Sequence, residues 1–171
     1  NAGVVATDVT GVGTARYQPA ATQYGGDKGI FGYGYLGSDT AVTNLVSNAG
    51  VVATDVTGVG TARRGPAACS YGGDKGIFGF GATDSGVTGV TNLVSNAGVV
   101  ATDVSAVGTA RQLAAACSYS ANKDKGIFGF GTTGSRVSTT NLVSNVGVVA
   151  SDVTGVGTAR NELAACSYGE D

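Results

Sequence analysis

Arginine and aspartate recur at fixed places in this sequence, and they are its most obvious candidates for chemistry. Catalysis by carboxylates requires one distinct pair at a defined separation. A charged residue that returns in every repeat is instead typical of an ion pair or hydrogen bond within or between repeats. We therefore expect structural roles for Arg16, Arg63, Arg111 and Arg160, and for Asp8, Asp55, Asp103 and Asp152.

A second recurring pair, Asp followed by Lys, falls in a predicted turn of each repeat. Equivalent turns should lie on one rim of the molecule, where loops commonly bind ligands. A solvent-exposed hairpin is the simpler interpretation of the same residues. The candidate binding rim consists of Asp27 and Lys28, Asp74 and Lys75, and Asp124 and Lys125.

The sequence offers few residues for nucleophilic catalysis or metal binding. The chain contains no histidine, which excludes Ser-His-Asp and Cys-His catalysis. The Asp residues do not have the spacing of a calcium loop. Cys69, Cys117 and Cys166 occupy equivalent positions, with Thr22 at the fourth, and we expect small, buried and reduced side chains there; a thiol cluster binding a soft metal is the alternative. The sequence predicts no enzyme, no cofactor and no metal site.

Composition favours short strands joined by tight turns. Of 171 residues, 42% are hydrophobic, 13% are charged and 30 are glycine, and β-branched residues are abundant. The net charge of −2 without a basic run argues against a nucleic-acid partner. The apolar runs are short and interrupted, so no membrane insertion is expected.

Internal repetition dominates the chain. The phrase Asn-Ala-Gly-Val-Val-Ala-Thr-Asp-Val begins at Asn1, Asn48 and Asn96 and returns in altered form at Asn145, at intervals of 47, 48 and 49 residues. This period of roughly 48 residues lies in the range of four-stranded propeller blades. We predict a single repeat domain, 1–171, with complete units 16–62, 63–110 and 111–159 and partial units 1–15 and 160–171.

Each period contains four predicted strands. In the second unit these are about 66–71, 76–81, 90–95 and 99–104. Alternation along the second of them places Phe78 and Phe80 on one face and Ile77 with two glycines on the other. A face of glycines permits close approach of a neighbouring sheet, so the units should stack.

The order of residues resembles a kelch-type blade, in which an Arg and small residues precede a hydrophobic strand that ends in glycines. Arg63, the pair at 67–68 and the segment 75–81 carry this resemblance. The units are also similar to glycine-rich, propeller-like repeats of some phage virion and bacterial surface proteins. These resemblances imply an all-β fold, a β-propeller of four-stranded blades. A glycine-rich β-solenoid is the alternative.

The two ends of the chain are complementary. Residues 1–13 match the last part of a unit and residues 160–171 match the start of another, while the equivalents of 75–95 are missing between them. An open blade exposes unpaired backbone groups, so we expect identical copies or other protein chains to complete it through these segments. The predicted function is a non-catalytic structural or adhesive module of a virion or extracellular surface assembly. The alternative is a carbohydrate-binding propeller lectin with glycan partners.

Overall fold

The computed structural model describes residues 7–168, and within them the fold is all-β with no helix. The strands are β1 (Ala20–Tyr24), β2 (Lys28–Gly32), β3 (Thr43–Val46), β4 (Ala67–Tyr71), β5 (Lys75–Gly79), β6 (Ala82–Thr83), β7 (Gly86–Val87), β8 (Thr91–Val94), β9 (Ala115–Tyr119), β10 (Lys125–Gly129) and β11 (Thr140–Val143). The predicted all-β class is confirmed.

Three antiparallel sheets repeat along the chain, each with three strands. The first sheet has the order β1-β2-β3, the second β4-β5-β8 and the third β9-β10-β11, while β6 and β7 form a small separate hairpin. The middle strand of each sheet has the same sequence, Lys-Gly-Ile-Phe-Gly. The chain therefore places its strand with two glycines where both neighbours are hydrogen-bonded to it.

A tight turn joins the first two strands of the first and second sheets, and a five-residue loop, 120–124, joins those of the third. Tyr71 pairs with Lys75 across the turn of the second sheet, and Gly72 and Gly73 have φ of 60° and 80°. Residues other than glycine rarely adopt the left-handed conformation at two successive positions. The two glycines therefore fix the position of the turn and with it the register of the hairpin.

The predicted fourth strand is present only as a pair of isolated contacts. In the second unit, Val100 bridges Val94 and Val104 bridges Thr91. Between these bridges Asn92 donates its side-chain amide to the Ala101 carbonyl at 3.0 Å. The segment thus runs beside β8, but a side chain interrupts its ladder, so the observed sheets have three continuous strands.

Consecutive sheets stack, and the hydrophobic core lies between them in two equivalent parts. Tyr24, Ile30, Tyr33, Phe78 and Val94 belong to the core between the first and second sheets. The second core contains their counterparts between the second and third sheets: Tyr71, Ile77, Phe80, Phe128 and Val143. Backbone hydrogen bonds such as Gly34 N–H to the Arg63 carbonyl, at 2.9 Å, also join neighbouring sheets.

The predicted placement of both phenylalanines of β5 on one face is wrong. Phe78 packs against Tyr33 of the first sheet, with ring centroids 5.1 Å apart, whereas Phe80 packs against Phe128 of the third sheet at 5.2 Å. Phe80 lies just beyond β5 and has φ of 61°. This left-handed residue ends the strand conformation and, with it, the simple alternation of side chains. Each unit therefore contributes one of these two rings to each neighbouring core.

Candidate functional site

A polar cluster joins the last residues of each unit to the last strand segment of the next unit. The Thr61 backbone N–H, at the end of the first unit, donates to both carboxylate oxygens of Asp103 in the second unit, at 3.1 and 3.0 Å, and the Thr61 hydroxyl donates at 2.6 Å. The Asn92 amide donates to the same carboxylate at 2.9 Å. The same set recurs in the other two units as Thr14, Asn44 and Asp55, and as Thr109, Asn141 and Asp152.

The aspartates of these clusters are held in the ionised form. Partial burial alone would raise the pKa of Asp103, but the hydrogen bonds from Thr61 and Asn92 outweigh it, and the net pKa lies below the usual value. Asp152 shows the same balance. The pKa of Asp55 is lowered first by the Thr14 hydroxyl and then by Asn44. Asp8 lies exposed. The three clustered carboxylates accept hydrogen bonds from the Asn of their own unit and from the Thr of the preceding one.

The recurring arginines reach across to the preceding sheet. The Arg63 guanidinium lies 3.9 Å from the centroid of the Tyr33 ring, and Arg111 lies 4.0 Å from that of Phe80. Arg63 also donates to the Phe80 carbonyl at 2.8 Å, and its burial lowers its pKa. A guanidinium over an aromatic face is attracted by the ring quadrupole, so these arginines connect one unit to the one before it.

Direct Arg–Asp ion pairing is weak in the clusters. The Arg111 guanidinium approaches the Asp152 carboxylate to only 4.0 Å. Arg16 and Arg111 donate instead to the side-chain carbonyl oxygens of Asn44 and Asn141, each at 2.7 Å. Asn was not among the predicted site residues, although its return in every Asn-Leu-Val-Ser phrase was visible in the sequence.

The Asp–Lys pairs lie in exposed turns, and two of the three are satisfied locally. Lys75 approaches Asp74 at 2.7 Å, and Asn96 donates to the other carboxylate oxygen at 3.2 Å. These two contacts, with Lys75 first, lower the pKa of Asp74. Lys28 and Asp27 repeat the pair at 3.1 Å. In the third turn the Ser120 hydroxyl binds Asp124, and Lys125 is exposed.

The cysteines are free thiols whose exposure increases along the stack. Cys69 is buried, Cys117 is half-buried and Cys166 is exposed. The expectation that all three are buried is therefore wrong for Cys166, because no further sheet in the described residues covers that position. Burial raises the pKa of the Cys69 thiol to about 12.

The third sheet has an uncovered apolar surface, which we call the open face. In the first and second sheets, the equivalent side is covered by the next sheet along the chain. Tyr119 and Leu142 are 37% and 40% exposed there. A cavity of about 220 Å³ lies between this sheet and the segment 160–165, lined by residues that include Ile127, Gly129, Phe130, Arg160 and Ala164. The repeated middle-strand sequence was the signal for such a surface, because it predicts equal packing needs in every unit.

Among residues 7–168, no three Cys, Asp or Glu side chains lie close enough together to hold a metal ion. The described part of the chain also contains no helix with the length and hydrophobicity needed to cross a membrane.

Comparison with known proteins assigns no family. No protein-family model matches the chain, and no curated protein matches it. The resemblance to kelch-type blades stays a prediction from the residues that carry it.

Proposed function

We propose that this chain is a non-catalytic structural module that assembles with further protein through its outer sheets. The observation that carries the proposal is the difference in exposure between equivalent residues. Tyr71 in the second sheet is 3% exposed and Tyr119 in the third is 37% exposed. Phe78 and Phe128 are fully buried, whereas Phe31 of the first sheet is 42% exposed. The outermost sheets therefore present, to solvent, surfaces that the same sequence buries inside the stack.

Burial of such surfaces is favourable by roughly 25 cal/mol for each Å² of apolar area. The arginines that lie over aromatic rings and the three clustered aspartates already have partners within or between units, which supports a structural role for them. The low charge and simplified repeat further support a place in a virion or an extracellular surface assembly.

We also propose that the stacked sheets are blades of a β-propeller. The antiparallel order of strands and the fourth segment running beside the third strand support this arrangement. A β-solenoid is the alternative, and a low-angle scattering profile distinguishes a disc-like ring from an elongated rod.

Sedimentation velocity of the 171-residue chain tests the assembly. The expected result is a species well above 16.6 kDa whose fraction grows with concentration. The contact segments expected from the sequence were 1–13 and 160–171, of which residues 1–6 and 169–171 lie outside the described part. A monomer at every accessible concentration, alone or with candidate partners, contradicts the proposal.

A glycan-binding module is the second candidate, and a polar groove between the second and third sheets favours it. This groove has a volume of about 620 Å³, and its lining includes Arg64, Asp84, Ser85, Gln112 and Thr133. Such hydroxyl, amide and charged groups suit recognition of sugar hydroxyls. A glycan array checks this candidate. Binding confined to one class of monosaccharide supports it, and absence of binding to any glycan eliminates it.

A further inference from the structure

We propose that the cavity on the open face binds a phenyl side chain carried on an extended Gly-Ile-Phe-Gly strand other than the three copies already paired in the sheets. The inference rests on the proposed assembly function and names the site and the chemistry of its partner.

Two interfaces inside the molecule show how such a ring is held. Between the first two sheets, Phe78 covers Gly32 so closely that a Cβ on this glycine would lie 2.8 Å from the ring. The Phe78 ring meets Tyr33 edge-on at 67°, and Arg63 covers another part of the Tyr33 ring. The next interface repeats this arrangement with Phe128 over Gly79, Phe80 at 74° to it, and Arg111 over Phe80.

The third sheet holds every part of this arrangement except the incoming ring. Arg160 lies 3.9 Å from the centroid of Phe130, as its counterparts do from theirs. A Cβ on Gly129 would meet only Thr140 Cγ2 within 4 Å, at 3.4 Å. In the described residues the position above Gly129 is therefore free of an aromatic ring, and it adjoins the cavity of about 220 Å³.

The start of a fourth unit is already seated in the register of the others. Gly131 donates its N–H to the Arg160 carbonyl at 2.9 Å, matching the bond from Gly81 to Arg111 at 2.8 Å. The Glu162 N–H binds the Leu113 carbonyl at 3.1 Å, matching the bond from Leu113 to Gly65 at 3.0 Å. The Ser118 and Ser167 hydroxyls also lie 2.8 Å apart.

Residues 164–168 have the sequence Ala-Ala-Cys-Ser-Tyr, which is that of β4 and β9. In those sheets this strand pairs with Lys-Gly-Ile-Phe-Gly, but residues 164–168 are in no ladder. They therefore offer an edge to which an extended strand can add.

The described strands of the chain cannot supply this ring. The three Lys-Gly-Ile-Phe-Gly strands of the chain, β2, β5 and β10, are each already the middle strand of a sheet. Any of them could reach the cavity only by leaving its own sheet. The occupant is an unpaired strand of this kind from outside the described residues, and its ring lies over Gly129 and meets Phe130 edge-on.

Fluorescence polarisation with a labelled peptide, Lys-Gly-Ile-Phe-Gly-Phe-Gly, tests the inference on the 171-residue chain. We expect saturable binding, weakened about tenfold or more when the first phenylalanine of the peptide is replaced by alanine, because a buried aromatic anchor dominates such contacts. This comparison uses the unaltered chain, and equal binding of the two peptides overturns the proposal.

The matched protein variant is Gly129→Val, which fills the space above the glycine while the backbone there stays in a conformation open to all residues. Gly11→Val is the control, since nothing lies within 4 Å of that position. Gly129→Val should lose peptide binding by about tenfold or more, and Gly11→Val should bind as the parent does. If a folded Gly129→Val chain binds the peptide as the parent does, the proposed ring site above Gly129 is overturned. The assembly proposal is tested separately by sedimentation and is unaffected by that result. Absence of both peptide binding and assembly overturns both proposals.

Discussion

At the scale of single residues, the three equivalent cysteines report how far each position lies inside the stack. We expect Cys166 to react first with a thiol reagent in native buffer, Cys117 more slowly, and Cys69 only after unfolding. Exposure sets this order, and the raised pKa of the Cys69 thiol, about 12, leaves almost no thiolate at mildly alkaline pH. Cys166→Ser should remove the fast phase alone. Three equally fast thiols would contradict the burial described above.

Gln18 is exposed in a conformation that suits glycine. Its φ is 54°, and the equivalent position in the next unit is Gly65 with φ of 59°. A left-handed conformation costs an L-residue roughly 1 to 2 kcal/mol, and the greater freedom of glycine in the unfolded chain cancels part of the gain. Gln18→Gly should raise the free energy of unfolding by about 0.5 to 1 kcal/mol in urea titrations. Gly65→Ala is the reciprocal change and should lower it.

The Asp103 cluster makes stability depend on acidity. Because the folded pKa of Asp103 is lowered, its contribution is complete above the unfolded value of about 3.9 and is lost as pH falls through the folded pKa. Asp103→Asn should cost about 1 kcal/mol at neutral pH, since the carboxylate lies partly in solvent. Urea midpoints measured from neutral pH down to about pH 2 should fall less steeply for the variant. Parallel curves would contradict the assigned hydrogen bonds.

At the scale of strands, two equivalent glycines should respond differently to the same change. A Cβ at Gly79 would lie 2.8 Å from the buried ring of Phe128, whereas one at Gly129 would have an ordinary contact with Thr140. Gly79→Ala should therefore lower the free energy of unfolding by about 1 to 3 kcal/mol, and Gly129→Ala by less than about 0.5 kcal/mol. Denaturant titration checks both. Equal losses would mean that the sheets do not stack through these glycines.

The strands themselves followed from local signals. The glycine turn at 72–73 and the alternation of Ile77 and Phe78 were enough to place β4 and β5, because turn chemistry and a period of two act over a few residues. The face of Phe80 could not be predicted this way, since its positive φ, which Tyr33 and Phe130 share at the equivalent positions, breaks the period of two. The interruption of the fourth strand likewise depends on Asn92 reaching a carbonyl nine residues away.

At the scale of the whole molecule, the second sheet should be the most resistant to local opening. Ile77, Phe78 and Phe80 are fully buried, and β5 is hydrogen-bonded on both edges. We expect its amides to exchange hydrogen most slowly, those of β2 and β10 at intermediate rates, and those of residues 7–15 and 161–168 fastest. Mass-spectrometric exchange of peptic fragments measures this order. Equal protection of all three sheets would show that the outer ones are covered in solution.

Candidate sites were harder to predict than the fold. The repeated Arg and Asp positions could be singled out by period alone. Their partners, an aromatic ring for the arginines and a threonine for the aspartates, lie in the preceding unit. The open face depends on which copy of a repeated residue lacks a neighbour. Ile127 and Ile77 have identical sequence surroundings, so only the stacked arrangement distinguishes them.

The opposite directions taken by Phe78 and Phe80 give the molecule a head and a tail. Each sheet projects one kind of surface backward and another forward, so two molecules joined by this contact must follow one another and cannot face each other about a two-fold axis. Repetition of one such step closes into a ring when its rotation divides a full turn, and otherwise extends into a fibre. The angle between neighbouring sheets, set where a ring lies on a glycine, would then determine the number of subunits in the assembly.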